Sequence, residues 1–288
     1  MTPPFAQAQL TTEPDVAPPA MPYMDALLAD VASGDDETKV LWQRHLHWGY
    51  WSDPETATGT NEDYAAAAEA MAQQLIDAAG IRDGMRVLDC GCGVGGMVAT
   101  LNERFRDMRL VGLNVDGRQL EIARERVIAQ PGNTVEFVEA DACKLPFPAD
   151  SFDVVLAVEC IFHFPGRRRF FRQAARVLDN GGTLALSDFV PPVAALPLLL
   201  PLNWSLPFFG EHNRILLTDG AYRVLASDTG FDVRVSDDIT RNTLPSYHVL
   251  MRYYGGISPA AFKQSRLLAR LSRFGLLRYR ILAFAADQ

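Results

Sequence analysis

The chain has 288 residues, with 27 Lys and Arg against 35 Asp and Glu (formal charge −8) and 48% hydrophobic residues. A chain of this make-up buries a full core without disulfide or metal staples, as one large α/β unit or two small ones. An acidic balance spread along the whole chain argues against nucleic acid or an anionic membrane as the main partner, because both are held by Lys and Arg contacts to phosphates, and it leaves small molecules as ligands.

Residues 1–35 read as a disordered arm leading into a helical cap. Met1 to Ala20 is rich in Pro, Ala and Thr, carries Glu13 and Asp15, and has neither the basic cluster nor the continuous apolar core of a signal peptide. Residues 36–80 complete the cap, in which Asn61 to Ala79 is Ala-rich and reads as a helix opened by Asn61 and ended by Gly80. From 81 to 190 short β-branched runs alternate with helical patterns. The strands are Met85–Cys90, Arg109–Val115, Thr134–Glu139, Phe152–Cys160 and Gly182–Asp188, and the helices Gly95–Arg106, Gly117–Gln130 and Arg167–Leu178. Such alternation implies right-handed βαβ units and a parallel sheet covered by helices on both faces.

Residues 191–217 interrupt this pattern. Val193 to Phe209 is strongly apolar, but Pro197, Pro201 and Pro207 break it and it falls short of the ~20 residues of a membrane span. It reads as a buried connection or as a substrate lid, and equally suits a subunit contact in a homo-oligomer. Residues 218–288 return to the core, with a helix opened by Thr218 and ended at Gly230, a strand at Phe231–Val235, and Leu277–Phe284 closing the sheet. Between them Lys263, Arg266, Arg270 and Arg273 have the spacing of one solvated helix face, to which no chemistry is assigned. Cys90, Cys92, Cys143 and Cys160 form no CxxC pair and read as free thiols, in keeping with a cytoplasmic protein.

The strongest motif is Val87-Leu-Asp-Cys-Gly91-Cys-Gly93-Val-Gly95-Gly96, in which a strand turns tightly into a helix. It matches GxGxxG, so a dinucleotide is the first ligand to consider. Asp89 speaks against it, since a pyrophosphate docked on this turn meets a carboxylate two residues before the first glycine. S-adenosylmethionine, which carries an ammonium and a sulfonium, is favoured by the same acid.

The string VLDCGCGVGG resembles the first motif of the class I S-adenosylmethionine-dependent methyltransferases. Leu110-Val-Gly-Leu-Asn-Val-Asp, Val138-Glu-Ala-Asp-Ala-Cys, Ser151-Phe-Asp-Val-Val-Leu and Arg176-Val-Leu-Asp-Asn-Gly-Gly extend the likeness over most of the chain. The resemblance implies a Rossmann-like, mostly parallel seven-stranded α/β sheet. It places Asp141 and Ala142 at the adenine and Gly91 and Gly93 at the methionine. One position departs from it: where most members take the ribose hydroxyls with an acid, this chain has Asn114. The natural-product, sterol and tocopherol branch often lacks that acid and uses a nearby Gln, here Gln119. Leu46-His-Trp-Gly-Tyr50-Trp51 resembles the HxGYW segment of the same branch, with Tyr50 and Trp51 expected to cover the cofactor or, alternatively, to pack the edge of the cap helices.

Methyl transfer requires alignment and, for a hydroxyl acceptor, a base. His163 follows the fourth strand at its carboxyl end, and Asp188 ends the fifth. In the sugar and macrolide O-methyltransferases that this chain resembles, a His and an Asp at these places are taken as base and partner. Glu159 reads as a cofactor-side carboxylate or a structural one. Phe162, Trp204, Phe208 and His212 are read as acceptor-side residues, and the apolar lid favours a polyketide, terpenoid or lipid-like alcohol. His212 and His248 lie in no HxH or HxxxH spacing, so no metal is expected. Two other activities stay open: C-methylation of an alkene or ring, with aromatic stabilisation of a cation, and a cyclase on the same fold.

Overall fold

Capping chemistry sets the helices that frame the core. The helix α3 (Asn61–Ala79) begins where the Thr60 hydroxyl accepts from the Asp63 N–H, so Thr60 rather than Asn61 is its cap, and it ends on Gly80 in the left-handed region. Asp116 opens α5 (Gly117–Arg126) and Thr218 opens α8 (Asp219–Ser227) in the same way. By contrast α4 (Gly96–Arg104) starts at Gly95 with no side-chain cap, so no capping side chain takes up its first amides.

A computed structural model describes residues 22–33, 36–42, 44–203 and 217–287. The strands are β1 (Arg86–Cys90), β2 (Arg109–Asn114), β3 (Thr134–Glu139), β4 (Phe152–Val158), β5 (Leu178–Val190), β6 (Phe231–Asp238) and β7 (Arg278–Ala286). They form one seven-stranded sheet in the order β3-β2-β1-β4-β5-β7-β6. β1 to β5 pair in parallel, whereas β7 lies antiparallel between β5 and β6. Two apolar clusters cover the two faces. One joins α3 and the cap to Val87, Leu110, Val154 and Leu156; the other joins α6 (Arg167–Val177) and α8 to Leu88, Val111, Val155 and Phe284. Successive residues of a strand thus feed opposite cores, the period-two rule of a sheet buried on both faces.

The cap begins with α1 (Pro22–Ser33) and α2 (Asp36–Leu41), and α7 (Leu196–Asn203) opens the inserted segment. Its remainder, with Trp204, Phe208 and His212, lies outside the described residues, as does the expected arm at 1–20. After β6 come α9 (Thr240–Ile257) and α10 (Pro259–Arg273), which pack on one another. The sequence reading assigns no element to α9, because Pro245 inside it and Gly255-Gly256 at its end conceal its period. Among the described residues no helix is long and apolar enough to cross a membrane. All four cysteines are free and buried.

The reversal of strand order at β1 and β4 opens a crevice at the carboxyl ends of the strands, where doubly wound sheets hold ligands. Gly91 makes its floor. Its φ is +75°, and a Cβ there would lie 2.7 Å from Cys160 Cβ. Gly91→Ala is therefore expected to destabilise the fold by about 1–3 kcal/mol through this clash alone; a melting temperature equal to wild type would contradict the packing.

Candidate active site

The crevice is a cavity between the sheet edge and the cap. Asp89, Gly91 and Gly93 from the β1 loop, Asn114 and Gln119 from β2 and α5, Asp141 and Ala142 after β3, and Glu159, Phe162 and His163 after β4 all line it. Ten of the residues read from the sequence thus converge on one space, although they come from five separate segments.

Asp89 is 2% exposed, and burial alone lifts its carboxyl from an ordinary value of 3.8 to about 7. Among the described residues no cation or hydrogen bond compensates the charged form. Glu159 is lifted to about 8 by burial, even though its Oε2 accepts from the Trp48 N–H and the Tyr279 hydroxyl, both at 2.8 Å. Its backbone is left-handed (φ +51°) and its N–H donates to Ser187 Oγ at 3.0 Å. Glu159 therefore ties the cap segment to β4, β5 and β7 while lining the cavity. Asp141 Oδ1 accepts from the Cys143 N–H at 2.7 Å, whereas its buried Oδ2 has no hydrogen-bond partner.

Asn114 ends β2 in a local network: its amide oxygen accepts from the Asp116 N–H and its amide nitrogen donates to Gln119 Oε1 at 3.2 Å. Gln119 in turn reaches Asp116, which Arg118 holds below the usual carboxylate range. The turn chemistry and the cavity wall are thus served by the same two amides.

The aromatic segment enters the site with other residues than expected. Leu46, His47 and Trp48 line the cavity, but Tyr50 and Trp51 do not. Gly49 packs against Ala67 and the Trp51 ring, and the Trp51 indole donates to the Asp63 carboxylate and meets Tyr64 edge-on, so this end of the segment belongs to the cap's core. His45 also lines the cavity, with Nε2 2.7 Å from Glu69 Oε2. The rings of His45 and His47 lie 4.6 Å apart; His45 Nδ1 and His47 Nε2 are buried and unpartnered. Burial holds His47 down at about 3. From α9, Leu250 and Tyr254 complete the wall one helical turn apart, a contribution hidden with the helix itself.

Asp188 is fully buried, and its carboxylate accepts from Arg167 at 2.9 Å, from the Tyr222 hydroxyl and from the Phe189 N–H. Among the described residues it makes no bond to His163 and does not line the cavity. His163 packs its ring 4.5 Å from Phe162, and burial depresses it to about 4. The structure thus brings His163 to the cavity and leaves Asp188 in a separate buried ion pair. His248 is exposed on α9, beside Gly59.

A family model described as "Methyltransferase domain" matches residues 88–186, the stretch from β1 to β5 that builds the crevice. Over 234 residues the chain is 33% identical to the 27-O-demethylrifamycin SV methyltransferase of Amycolatopsis mediterranei, covering 77% of this chain and 79% of that one. The chain belongs to the S-adenosylmethionine-dependent methyltransferases.

The methyltransferase is also 40% identical over 153 residues to Methyltransferase GfsG of Streptomyces halstedii, a match that spans 53% of each chain. Its fold is similar to that of the [4+2]-cyclase SpnF, with a TM-score of 0.69 at 23% identity over 92% of both chains. The residues present fit S-adenosylmethionine, the cofactor of this family. An uncompensated buried carboxyl at Asp89 suits a cation, and the unpartnered Asp141 Oδ2 suits an amine donor such as the one adenine carries. Gly93, whose Cβ would meet only Leu46 and Gln119 at 3.5 Å or more, leaves room for a ligand against the backbone.

Proposed function

We propose that the enzyme methylates a hydroxyl group of an apolar small molecule, with His163 taking the proton. The observation that carries the reading is His163 at the wall of the cofactor cavity, beside Phe162, in a space that Leu250 and Tyr254 also line. The 27-O- position in the name of the rifamycin relative supports oxygen as the acceptor atom. When bound, S-adenosylmethionine supplies a methyl carbon on a sulfonium, whose neutral thioether leaves readily. Asp89 and Glu159 bind the cationic methionine end, Asp141 the adenine, and Asn114 with Gln119 the ribose hydroxyls. The buried aromatic and aliphatic wall excludes water from the space that His163 lines.

His163 is neutral throughout the physiological range, the protonation state a general base requires. The sign follows from its depressed value: the imidazole charges only as pH falls through about 4. kcat at saturating cofactor is therefore expected to stay flat between pH 6 and 8 as far as this group is concerned. His163→Ala should lower kcat by about a hundredfold and leave the affinity for S-adenosylhomocysteine within about threefold, as read by single-turnover kinetics and calorimetry. An acidic limb in kcat centred near 6.5 that disappears in the variant would contradict this protonation state.

The acceptor assignment is tested by incubating the enzyme and S-adenosylmethionine with hydroxylated polyketides and terpenoids and locating the new methyl by NMR. An O-methyl product with equal S-adenosylhomocysteine supports the reading. A new carbon–carbon bond to the methyl, or a product formed without S-adenosylhomocysteine, overturns it.

A further inference from the structure

The acidic balance of the chain is not uniform. Between Asp238 and Asp287 there is no Asp or Glu, yet the interval holds Arg241, Arg252, Lys263, Arg266, Arg270, Arg273, Arg278 and Arg280. The other 19 Lys and Arg stand against all 35 carboxylates, so a strongly cationic segment is joined to a strongly anionic remainder.

The fold employs half of these eight cations. Arg241 reaches Glu55, Arg252 donates to the Gly59 carbonyl and to Asn61, and Arg278 and Arg280 pair with Asp219 and Asp238. The four on α10 meet no carboxylate among the described residues, and of them Arg266 lies over the Phe262 ring, 5.9 Å from its centroid. Lys263, Arg266, Arg270 and Arg273 are all exposed and make no ion pair among the described residues. Their spacing at i, i+3, i+7 and i+10 puts them on one stripe about 15 Å long. The opposite side of α10, with Ala261, Ser265, Leu268 and Leu271, is buried against the body of the protein. Immediately beyond the stripe Phe274 is 75% exposed.

We propose that this stripe of α10 is a peripheral docking surface for an anionic lipid bilayer, with Phe274 entering the headgroup layer at its end. Charge of one sign that the fold leaves uncompensated draws an acidic surface, and each cation near anionic headgroups strengthens partition by about fivefold. A bilayer is favoured over an acidic protein by what the stripe lacks. A specific protein interface is organised around a packed apolar centre of several side chains, whereas here one aromatic stands beside four cations on a convex helix. With its apolar side already buried in the protein, α10 adsorbs at the surface and does not insert. The inference is independent of the acceptor's identity and of His163.

Flotation of the full chain with phosphatidylcholine vesicles, alone or containing about a third phosphatidylglycerol, tests it directly. At low salt the wild type should float with the anionic vesicles only and be released as ionic strength rises. The variant with Lys263→Gln, Arg266→Gln, Arg270→Gln and Arg273→Gln should lose about a hundredfold or more in partition, and Phe274→Ala a smaller factor. Both should bind S-adenosylhomocysteine as wild type does, which shows that they are folded. Equal flotation of wild type and the four-site variant, or no flotation of wild type at low salt, overturns the proposal. Retention of the wild type on immobilised polyglutamate without flotation would overturn it in favour of an acidic polypeptide.

Discussion

Asp89→Asn is expected to make the free enzyme more stable at pH 8 and its cofactor site at least a hundredfold weaker. Asp89 titrates near 7 in the fold against an ordinary 3.8. For a carboxyl raised by burial, the favourable contribution is complete below the unfolded value and is lost as pH rises through the folded value, because the charged form is the one the interior rejects. At pH 8 the ionised side chain therefore destabilises the free protein, by up to about 4 kcal/mol if the whole shift is realised. An amide of the same shape removes that cost. It also removes the charge for the methionine end of the cofactor, and truncating one partner of a buried charged pair costs about 2–5 kcal/mol of binding. Melting curves of both proteins at pH 6 and 8, with calorimetric titration of S-adenosylhomocysteine, check the two signs together. A variant that melts lower at pH 8, or that binds as wild type does, would contradict the role given to Asp89.

Arg167→Ala should destabilise the enzyme by about 3–5 kcal/mol, because it strips a buried carboxylate of its cation. Arg167 and Asp188 are 6% and 0% exposed, and Tyr222 shares the Asp188 oxygen that Arg167 contacts. Asp188→Asn keeps two hydrogen-bonding atoms but removes the buried negative charge that Arg167 contacts at 2.9 Å, so it should also lower the melting temperature. Replacing the pair by Met and Leu should recover most of the loss. These three variants separate a structural ion pair from a catalytic one. If Asp188→Asn reduces kcat a thousandfold at unchanged melting temperature, the carboxylate acts on the reaction and the separation from His163 described above does not hold in the working enzyme.

The sheet and its cofactor crevice are legible in the sequence because each element carries its own local signal. Alternating β-branched strands, Gly80 at the end of α3, and the glycine turn after Asp89 all follow from short-range chemistry, while α8 ends at Ser227, before the expected Gly230. Whole-sheet order and the antiparallel β7 require contacts between distant residues, which periodicity does not encode. The site shows the same division. Asp89 is read from its place before the glycine turn and Asp141 from the family resemblance, and both line the cavity, whereas the roles within Leu46 to Trp51 depend on which way each ring turns. There the Asp63 carboxylate captures the Trp51 indole, and His47 and Trp48 are left to face the cavity. The pairing of His163 with Asp188 fails for a related reason: two side chains at adjacent strand ends look like partners in the sequence, but Arg167, one helix away, takes the acid.

Titration of the Asp89 side-chain carbon by NMR, in the free enzyme and with S-adenosylmethionine bound, is the most direct measurement of how this cavity recognises its cofactor. The free enzyme should show a midpoint near 7, and the complex a midpoint well below that, because the cation it receives favours the ionised form. A midpoint near 4 in the free enzyme, unchanged when the cofactor binds, would contradict the account.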